Sequence, residues 1–368
     1  MKKKGIVVLI IVLIVSSQIH LFSKYLKEKI VYTEKEFEIT DGSKDFYFRY
    51  PSDFKADKFG NLYLFDFYHL YKFNNKGKFI KKILKNGAGP GEVLFGRSVF
   101  YYSVYSHGLI GYSSLPLKIM HFDNSGKFVK EFRLNKFFPD SFIGYYKKRY
   151  FFIDEEGPFG KSGKFLRVKV HRSVVGIDDK SNVVFEKKFM ISYLFMRYQG
   201  ARIFFDEPPT EYIILGDYLY LLISNNYEFY QIKLSDSSKI IKISRNYNRV
   251  KRSKANERYF KLREIGVNNR MFKEPYRKYI KDIICFANPD NKTLWVITTT
   301  KNRNNGIWVD EYRNGKLKGG FWLNLPKNYD VYKLNKKRFL IANNSIFLKT
   351  VDEDDNVIIT KYRLVFKK

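Results

Sequence analysis

One phrase recurs along this chain, and any fold must accommodate every copy of it. YKFNNKGKFIKKI at 71–83 and MHFDNSGKFVKEF at 120–132 share a layout: apolar alternation, a polar turn ending in Gly, then Lys-Phe and a second alternating run. Alternation of period two on both sides of a turn that needs positive φ signals a β-hairpin. Looser copies follow as VVGIDDKSNVVFEKKF (174–189), YQIKLSDSSKIIKI (230–243), VDEYRNGKLKGGFWL (309–323) and FLKTVDEDDNVIITKYRL (347–364). The turn positions Gly77, Gly126, Ser181, Ser238, Gly315 and Asp355 are spaced by 49, 55, 57, 77 and 40 residues. Six units of this size predict an all-β fold, a six-bladed β-propeller of four-stranded antiparallel blades. Stacked sandwiches would not require one phrase to recur six times. A transmembrane barrel needs an apolar outward band, whereas these strand faces carry many lysines.

The first blade can be written out as strands near 52–57, 62–66, 69–73 and 78–84, and its second strand is echoed by YLYLLIS at 218–224 and TLWVIT at 293–298. The last unit supplies only three strands, RFLIAN, SIFLKTV and NVIITKYRLVF. The isolated run EKEFEI, 34–39, is therefore expected to complete that blade and close the ring, which removes an exposed edge. The 77-residue gap is filled by residues 246–278, with eleven Lys or Arg against three Glu. This is read as an insertion between blades, partly helical around ANERYFKLREI.

The domain plan is 1–23 as signal peptide or membrane anchor and 30–368 as propeller. Lys2, Lys3 and Lys4 precede an uncharged stretch from Gly5 to Phe22, 18 residues long. A positive n-region before an apolar run suits a secretory signal, and the length also suits a short span with its N-terminus in the cytoplasm. No Cys follows the run, so a lipoprotein anchor is excluded. Export to the periplasm or beyond is expected. The formal net charge of +31 would attract anionic partners, but the basic residues are spread along the whole length, which a general preference for Lys also produces. Because an exported chain rarely meets nucleic acid, and no nucleic-acid module is visible, an anionic glycan or an envelope protein suits the compartment better. Cys285 is the only cysteine, lies in the apolar run IICF and is read as a buried strand residue.

GAGPGE, 87–92, follows the outer strand of blade one and leads to blade two. Its glycines open backbone angles closed to other residues, and Pro90 stiffens the bend. A second reading makes Gly87, Gly89, Gly91 and Glu92 a ligand contact, with backbone N–H groups forming an anion nest. No GK[ST] follows, so this is not a nucleotide phosphate loop.

The stretch 60–92, through NLYLFD and HLYKFNNKGKFIKKILKNGAGPGE, resembles one unit of the NHL-repeat proteins. It is more similar still to the bacterial six-bladed propellers related to them. The likeness is fair at 120–132 and also touches 290–326, and elsewhere only the rhythm persists. The resemblance implies a secreted or tethered binding protein. It also implies an alternative, since NHL-like enzymes cleave amide-derived or lactone substrates with channel His, Tyr, Arg and carboxylates around a metal.

The sequence shows little such chemistry. His20, His69, His107, His121 and His171 form no HxH or HExxH pattern, and His69 and His121 look like matching repeat positions. Asp57 and Asp66 flank a strand as turn caps, DEEG at 154–157 reads as a solvated turn, and GYSSL at 111–115 lacks the closing Gly of a nucleophile elbow. No catalytic residue, metal ligand or cofactor is predicted, with a divalent metal in the channel kept as the alternative. The reading is a monomeric, non-catalytic binding module at the bacterial cell envelope. A further alternative is electrostatic adhesion to an anionic glycan or polymer through the basic segment, with Arg249, Lys251, Arg252 and Lys254 as candidate contacts, against the plain reading of that segment as a solvated excursion.

Overall fold

The alternating runs become strands, and no helix occurs among the described residues. The structure, a computed structural model, describes residues 29–40, 46–67, 69–134, 139–155, 165–198, 201–205, 210–251, 264–267, 270–273, 279–302, 304–327, 329 and 339–366. The expected signal or anchor, 1–23, lies outside them.

The N-terminal strand, β1 (Lys29–Thr40), does not pair with its immediate successors in the chain. A first sheet holds β2 (Pro51–Ala56), β3 (Leu62–Asp66), β4 (His69–Phe73) and β5 (Phe79–Lys82), close to the strands expected for blade one. Two short strands, β6 (Lys85–Asn86) and β7 (Glu92–Val93), frame GAGPGE. The second sheet holds β8 (Phe100–Tyr105), β9 (Gly108–Ser114), β10 (Leu117–Asp123) and β11 (Phe128–Arg133). The third has five strands, β12 (Ser141–Tyr146), β13 (Arg149–Glu155), β14 (Phe165–Ile177), β15 (Val183–Tyr198) and β16 (Ala201–Phe205). The fourth holds β17 (Glu211–Leu215), β18 (Tyr218–Leu222), β19 (Glu228–Lys233) and β20 (Ile240–Ser244). A separate hairpin, β21 (Glu264–Val267) with β22 (Arg270–Lys273), lies within the basic segment. The remaining strands are β23 (Ile283–Ala287), β24 (Leu294–Lys301), β25 (Gly306–Arg313), β26 (Lys316–Asn324), β27 (Phe339–Ala342), β28 (Ser345–Val351) and β29 (Val357–Phe366).

These last seven join β1 in one eight-stranded sheet, in the order β23-β24-β25-β26-β1-β29-β28-β27. Six separate four-stranded sheets were the expectation, and the structure has four stand-alone sheets instead. The reason is β1. It pairs antiparallel with β29, as expected of a closing strand, and also runs parallel to β26 from Lys29↔Phe321 to Val31↔Leu323. The whole is a propeller-like all-β arrangement. The first strands touch in cyclic order, β2 to β8, β12, β17, β23, β27 and back to β2.

Apolar side chains gather in layers between neighbouring sheets. One layer sets Phe54, Leu64 and Phe73 against Ile39, Phe347 and Ile359; others recur at each junction around the molecule. Each fully buried Phe or Leu contributes about 1.5–3 kcal/mol relative to exposure.

The recurring turn has a device the alternation does not reveal. Asn74 Oδ1 accepts the N–H groups of Lys76 and Lys78 at 3.0 and 2.9 Å, and Asp178 Oδ1 does the same for Lys180 and Asn182 at 2.9 and 2.8 Å. A side-chain carbonyl or carboxylate thus substitutes for backbone acceptors across the bend. Five of the six expected turn residues adopt positive φ: Gly77 (79°), Gly126 (78°), Ser181 (66°), Gly315 (73°) and Asp355 (63°). Ser238 does not; its turn is organised by Asp236, whose Oδ1 accepts the Ser238 N–H at 3.1 Å.

In every unit, first-to-second and third-to-fourth turns lie at one edge, the hairpin edge. Second-to-third turns and the crossings to the next unit lie at the other, the crossing edge, except that in the third unit the fifth strand, β16, runs back from that edge before the crossing. Antiparallel pairing alone dictates this. GAGPGE and the basic segment are both crossings.

Removal of residues 1–40, compared with removal of 1–28 alone, should expose the β29 and β26 edges. The shorter chain should elute as oligomers and aggregates in size-exclusion chromatography with light scattering, and the longer one as a monomer.

Candidate functional site

GAGPGE closes on itself. β6 and β7 pair in parallel, Lys85↔Glu92 and Asn86↔Val93. The Gly87 N–H donates to Val93 O at 3.2 Å, that of Gly89 to Glu92 Oε2 at 3.0 Å, and that of Gly91 to Glu131 Oε2 at 2.9 Å. Lys118, fully buried on β10, donates from Nζ to Gly89 O at 2.7 Å and Glu131 Oε2 at 2.9 Å. All three glycine N–H groups therefore have acceptors within the chain. Gly91 sits at φ +72°, and a Cβ there would come within 2.7 Å of the Phe128 ring, so only glycine fits without displacement.

The basic crossing is closed at its root. Arg249 Nε donates to Asp282 Oδ1 at 3.0 Å, with its guanidinium 4.8 Å from the Tyr279 ring centroid. The Ile280 N–H donates to Val250 O at 3.1 Å, and Lys251 forms a β-bridge with Tyr279. The segment thus leaves and re-enters through one neck. Arg252 and Lys254 lie outside the described residues. The expected helix is corrected where it can be seen: Glu264 and Ile265 begin β21, and 255–263 lie outside the described residues. Asn268 and Asn269 between the paired strands are residues that favour a turn over a helix interior.

Beneath the neck lies a polar cluster that the sequence reading missed. Asp310, buried on β25, accepts from the Tyr227 hydroxyl at 2.7 Å, Trp308 Nε1 at 2.8 Å and the Arg245 guanidinium. The Tyr227 hydroxyl is also 3.1 Å from that of Tyr312, and the Tyr227 N–H donates to Asp282 Oδ2 at 2.9 Å. Burial, then Asp310, pushes the Tyr227 hydroxyl far above the usual phenol range. Burial raises the Asp282 carboxyl against the opposing pull of Arg249. Two carboxylates thereby fix Arg245 and Arg249, each about a third exposed (36% and 33%), at the base of the crossing. A signal for Asp310 did exist: Trp308, Asp310 and Tyr312 share one face of a strand.

The histidines do not converge. Aligning Gly77 with Gly126 sets His121 against Lys72, so His69 and His121 are not matching positions as expected. His121 is buried with Nε2 2.7 Å from the Tyr150 hydroxyl, and burial, then Lys130, lowers its pKa to about 4. Burial, then Lys82, lowers that of His69. Asp57 Oδ1 accepts the Phe59 and Asn61 N–H groups, each at 2.9 Å, and Asp66 accepts those of Arg49 and Tyr50. In the DEEG stretch, Glu155 Oε2 accepts from Arg172 Nε and Nη2 at 2.9 and 2.6 Å, while Glu156 lies outside the described residues. Among the described residues no three His, Cys, Asp or Glu side chains are grouped to hold a metal. Cys285 is buried in β23.

No protein-family model matches this chain, and no curated protein matches its sequence. Solved structures resemble it at a distance. A candidate exported protein of Bacteroides fragilis NCTC 9343 is 13% identical with a TM-score of 0.46, over 92% of this chain and 100% of that one. The WD40 domain of Neurospora crassa Pan2 is 9% identical with a TM-score of 0.42, over 89% and 95%. A Bacteroides caccae protein of unknown function is 10% identical with a TM-score of 0.35, over 74% and 81%. Likeness this remote transfers no activity. The strand topology defines the class: an all-β, propeller-like protein.

Two outcomes follow from the site. Glu131→Ala leaves the Lys118 ammonium buried without its carboxylate and should cost about 3–5 kcal/mol in urea unfolding. The double change Lys118→Met, Glu131→Leu should recover much of that loss. Because the folded pKa of His121 lies below the ordinary 6.5, its contribution is full above pH 6.5 and lost as pH falls towards about 4. Unfolding free energy measured across that window should decline in the parent chain and stay flatter in His121→Gln.

Proposed function

We propose that this protein is a non-catalytic binding module of the bacterial cell envelope. In this reading it is a six-bladed propeller that presents a basic excursion from its crossing edge to an anionic glycan or an acidic envelope protein. The carrying observation is the neck at Arg249–Asp282 and Lys251–Tyr279, with a hairpin beyond it. A segment held shut at its root stays outside the blades while the frame remains intact. The count of six is supported by the cyclic contacts of the first strands and by the parallel junction between β26 and β1, where the eight-stranded sheet divides into two blades of four. Export is supported by the lysine-led apolar stretch 5–22, which serves as either a cleaved signal or an uncleaved tether. A monomer suffices, because the ring closes with the chain's own N-terminal strand.

The test is calorimetric titration with polygalacturonate across a salt series. The parent protein is compared with a variant in which residues 253–277 are replaced by a short Gly-Ser linker. Binding should weaken steeply as salt rises, and the variant should lose it while keeping the same β-sheet circular dichroism. Undiminished binding by the variant would assign the contact elsewhere; salt-independent binding would refute an electrostatic one.

A further inference from the structure

We infer that Arg245 and Arg249 form a carboxylate-recognition site for uronate sugars at the root of the basic crossing. This rests on the anionic-glycan reading above, and adds to it a site built into the frame itself.

The two guanidiniums are held but not used up. That of Arg245 donates to Asp310, and that of Arg249 donates from Nε to Asp282 Oδ1 at 3.0 Å. A guanidinium carries five N–H donors in a fixed planar fork, so most of each fork has no acceptor among the described residues. Arg172 is the contrast. It is buried and spends Nε, Nη1 and Nη2 on Glu155 and Thr210, the pattern of an arginine that serves packing. Arg245 and Arg249 stay about a third exposed, whereas the side chains of their partners are sealed beneath them, Asp310 at 1% and Asp282 at 3% exposure. Solvent therefore meets the cationic side of both pairs.

One tyrosine sets the spacing. The Tyr227 hydroxyl donates to Asp310 Oδ2 at 2.7 Å, and its N–H donates to Asp282 Oδ2 at 2.9 Å. The two carboxylates, and the arginines on them, thus stand at opposite ends of a single buried residue. The Arg245 main-chain N–H also donates to Tyr227 O at 3.3 Å. Tyr247 lies between the arginines in sequence. Its ring is 5.5 Å from that of Tyr227, and its hydroxyl bonds that of Thr300. The Arg249 guanidinium is 4.8 Å from the Tyr279 ring centroid, and that of Arg245 is 5.9 Å from the Tyr227 centroid. Ion pairing and ring contact together restrict both side chains, and a fork already oriented loses less freedom when a ligand binds.

This arrangement selects its ligand. Forks at a fixed separation suit planar carboxylates, each taken through two parallel N–H···O bonds. The half-buried rings of Tyr247 and Tyr279 beside them offer apolar surface. A uronate presents both complements, a carboxylate on the edge of a ring whose faces are apolar. Lysines of the excursion supply charge without this geometry.

The test is calorimetric titration of the full chain with trigalacturonate, its methyl ester and triglutamate. The parent should bind trigalacturonate, with the ester and the peptide each about tenfold weaker or more. The double change Arg245→Lys, Arg249→Lys keeps the charge and removes the forks, and should weaken trigalacturonate about tenfold or more. Unchanged affinity in that variant, or no binding by the parent, overturns the assignment. Equal binding of the ester refutes carboxylate recognition, and equal binding of triglutamate refutes the sugar. Should the double variant not fold, side-chain NMR of the parent decides. The Nε–H resonances of Arg245 and Arg249, and that of Trp308 Nε1–H, which shares Asp310 with Arg245, should move on addition of trigalacturonate. Unmoved resonances overturn the site. The reading on which it rests fails separately, through undiminished polygalacturonate binding once residues 253–277 are replaced.

Discussion

The backbone ladder between β1 and β29 is the constraint on which the rest depends. A ring of sheets leaves its first and last units unjoined unless one strand crosses the gap in sequence. β1 does so from Val31↔Phe366 to Thr40↔Ile358, reinforced by ion pairs from Arg363 to Glu34 and from Lys361 to Glu36. The same strand then covers β26. One element therefore satisfies two edges that would otherwise present unpaired N–H and C=O groups. The layer formed by Ile39 with Phe347, Phe54 and Phe73 depends on it as well.

Between units, buried polar side chains complement those apolar layers. Lys72 reaches from β4 to Asn124 in the second sheet, Lys118 binds the loop that precedes its own sheet, and Asn343 holds a turn of the first. Buried groups of this kind specify how neighbours sit because an alternative docking would leave them unsatisfied. Variation is left to the crossings: one is a six-residue knot, and another is a basic excursion closed at a neck. The frame is thus fixed by buried contacts, while length and sequence are free to vary in the crossings.

Much of the frame was legible in the chain. Hairpins could be placed because period-two alternation and a left-handed turn residue are local signals, and Gly77, Gly126 and Asp355 carry both. The closing strand followed from counting three strands in the last unit. The parallel junction of β1 with β26 was not legible, since pairing between outer strands of neighbouring units leaves no local pattern. Lys72 and Lys118 were hidden for a different reason: lysine is read as solvent-facing unless its strand register is followed residue by residue. The β21–β22 hairpin was obscured by charge, because Lys and Arg mask alternation. The Asp310 cluster joins residues 65 and 83 positions apart, beyond any motif.

The strand that closes the ring also sets the order of events in the protein's synthesis. Glu34 and Arg363, which meet across the final ladder, are 329 residues apart. β1 leaves the ribosome first and its partner β29 last. Until β26 and then β29 have emerged the leading strand has no native mate, although the sheets between can already form from their own local hairpins. Closure is therefore a late event that waits for β29, and a product terminated before that strand lacks the means to finish its fold. A nascent chain of this design carries a built-in check that its closing strand has been made.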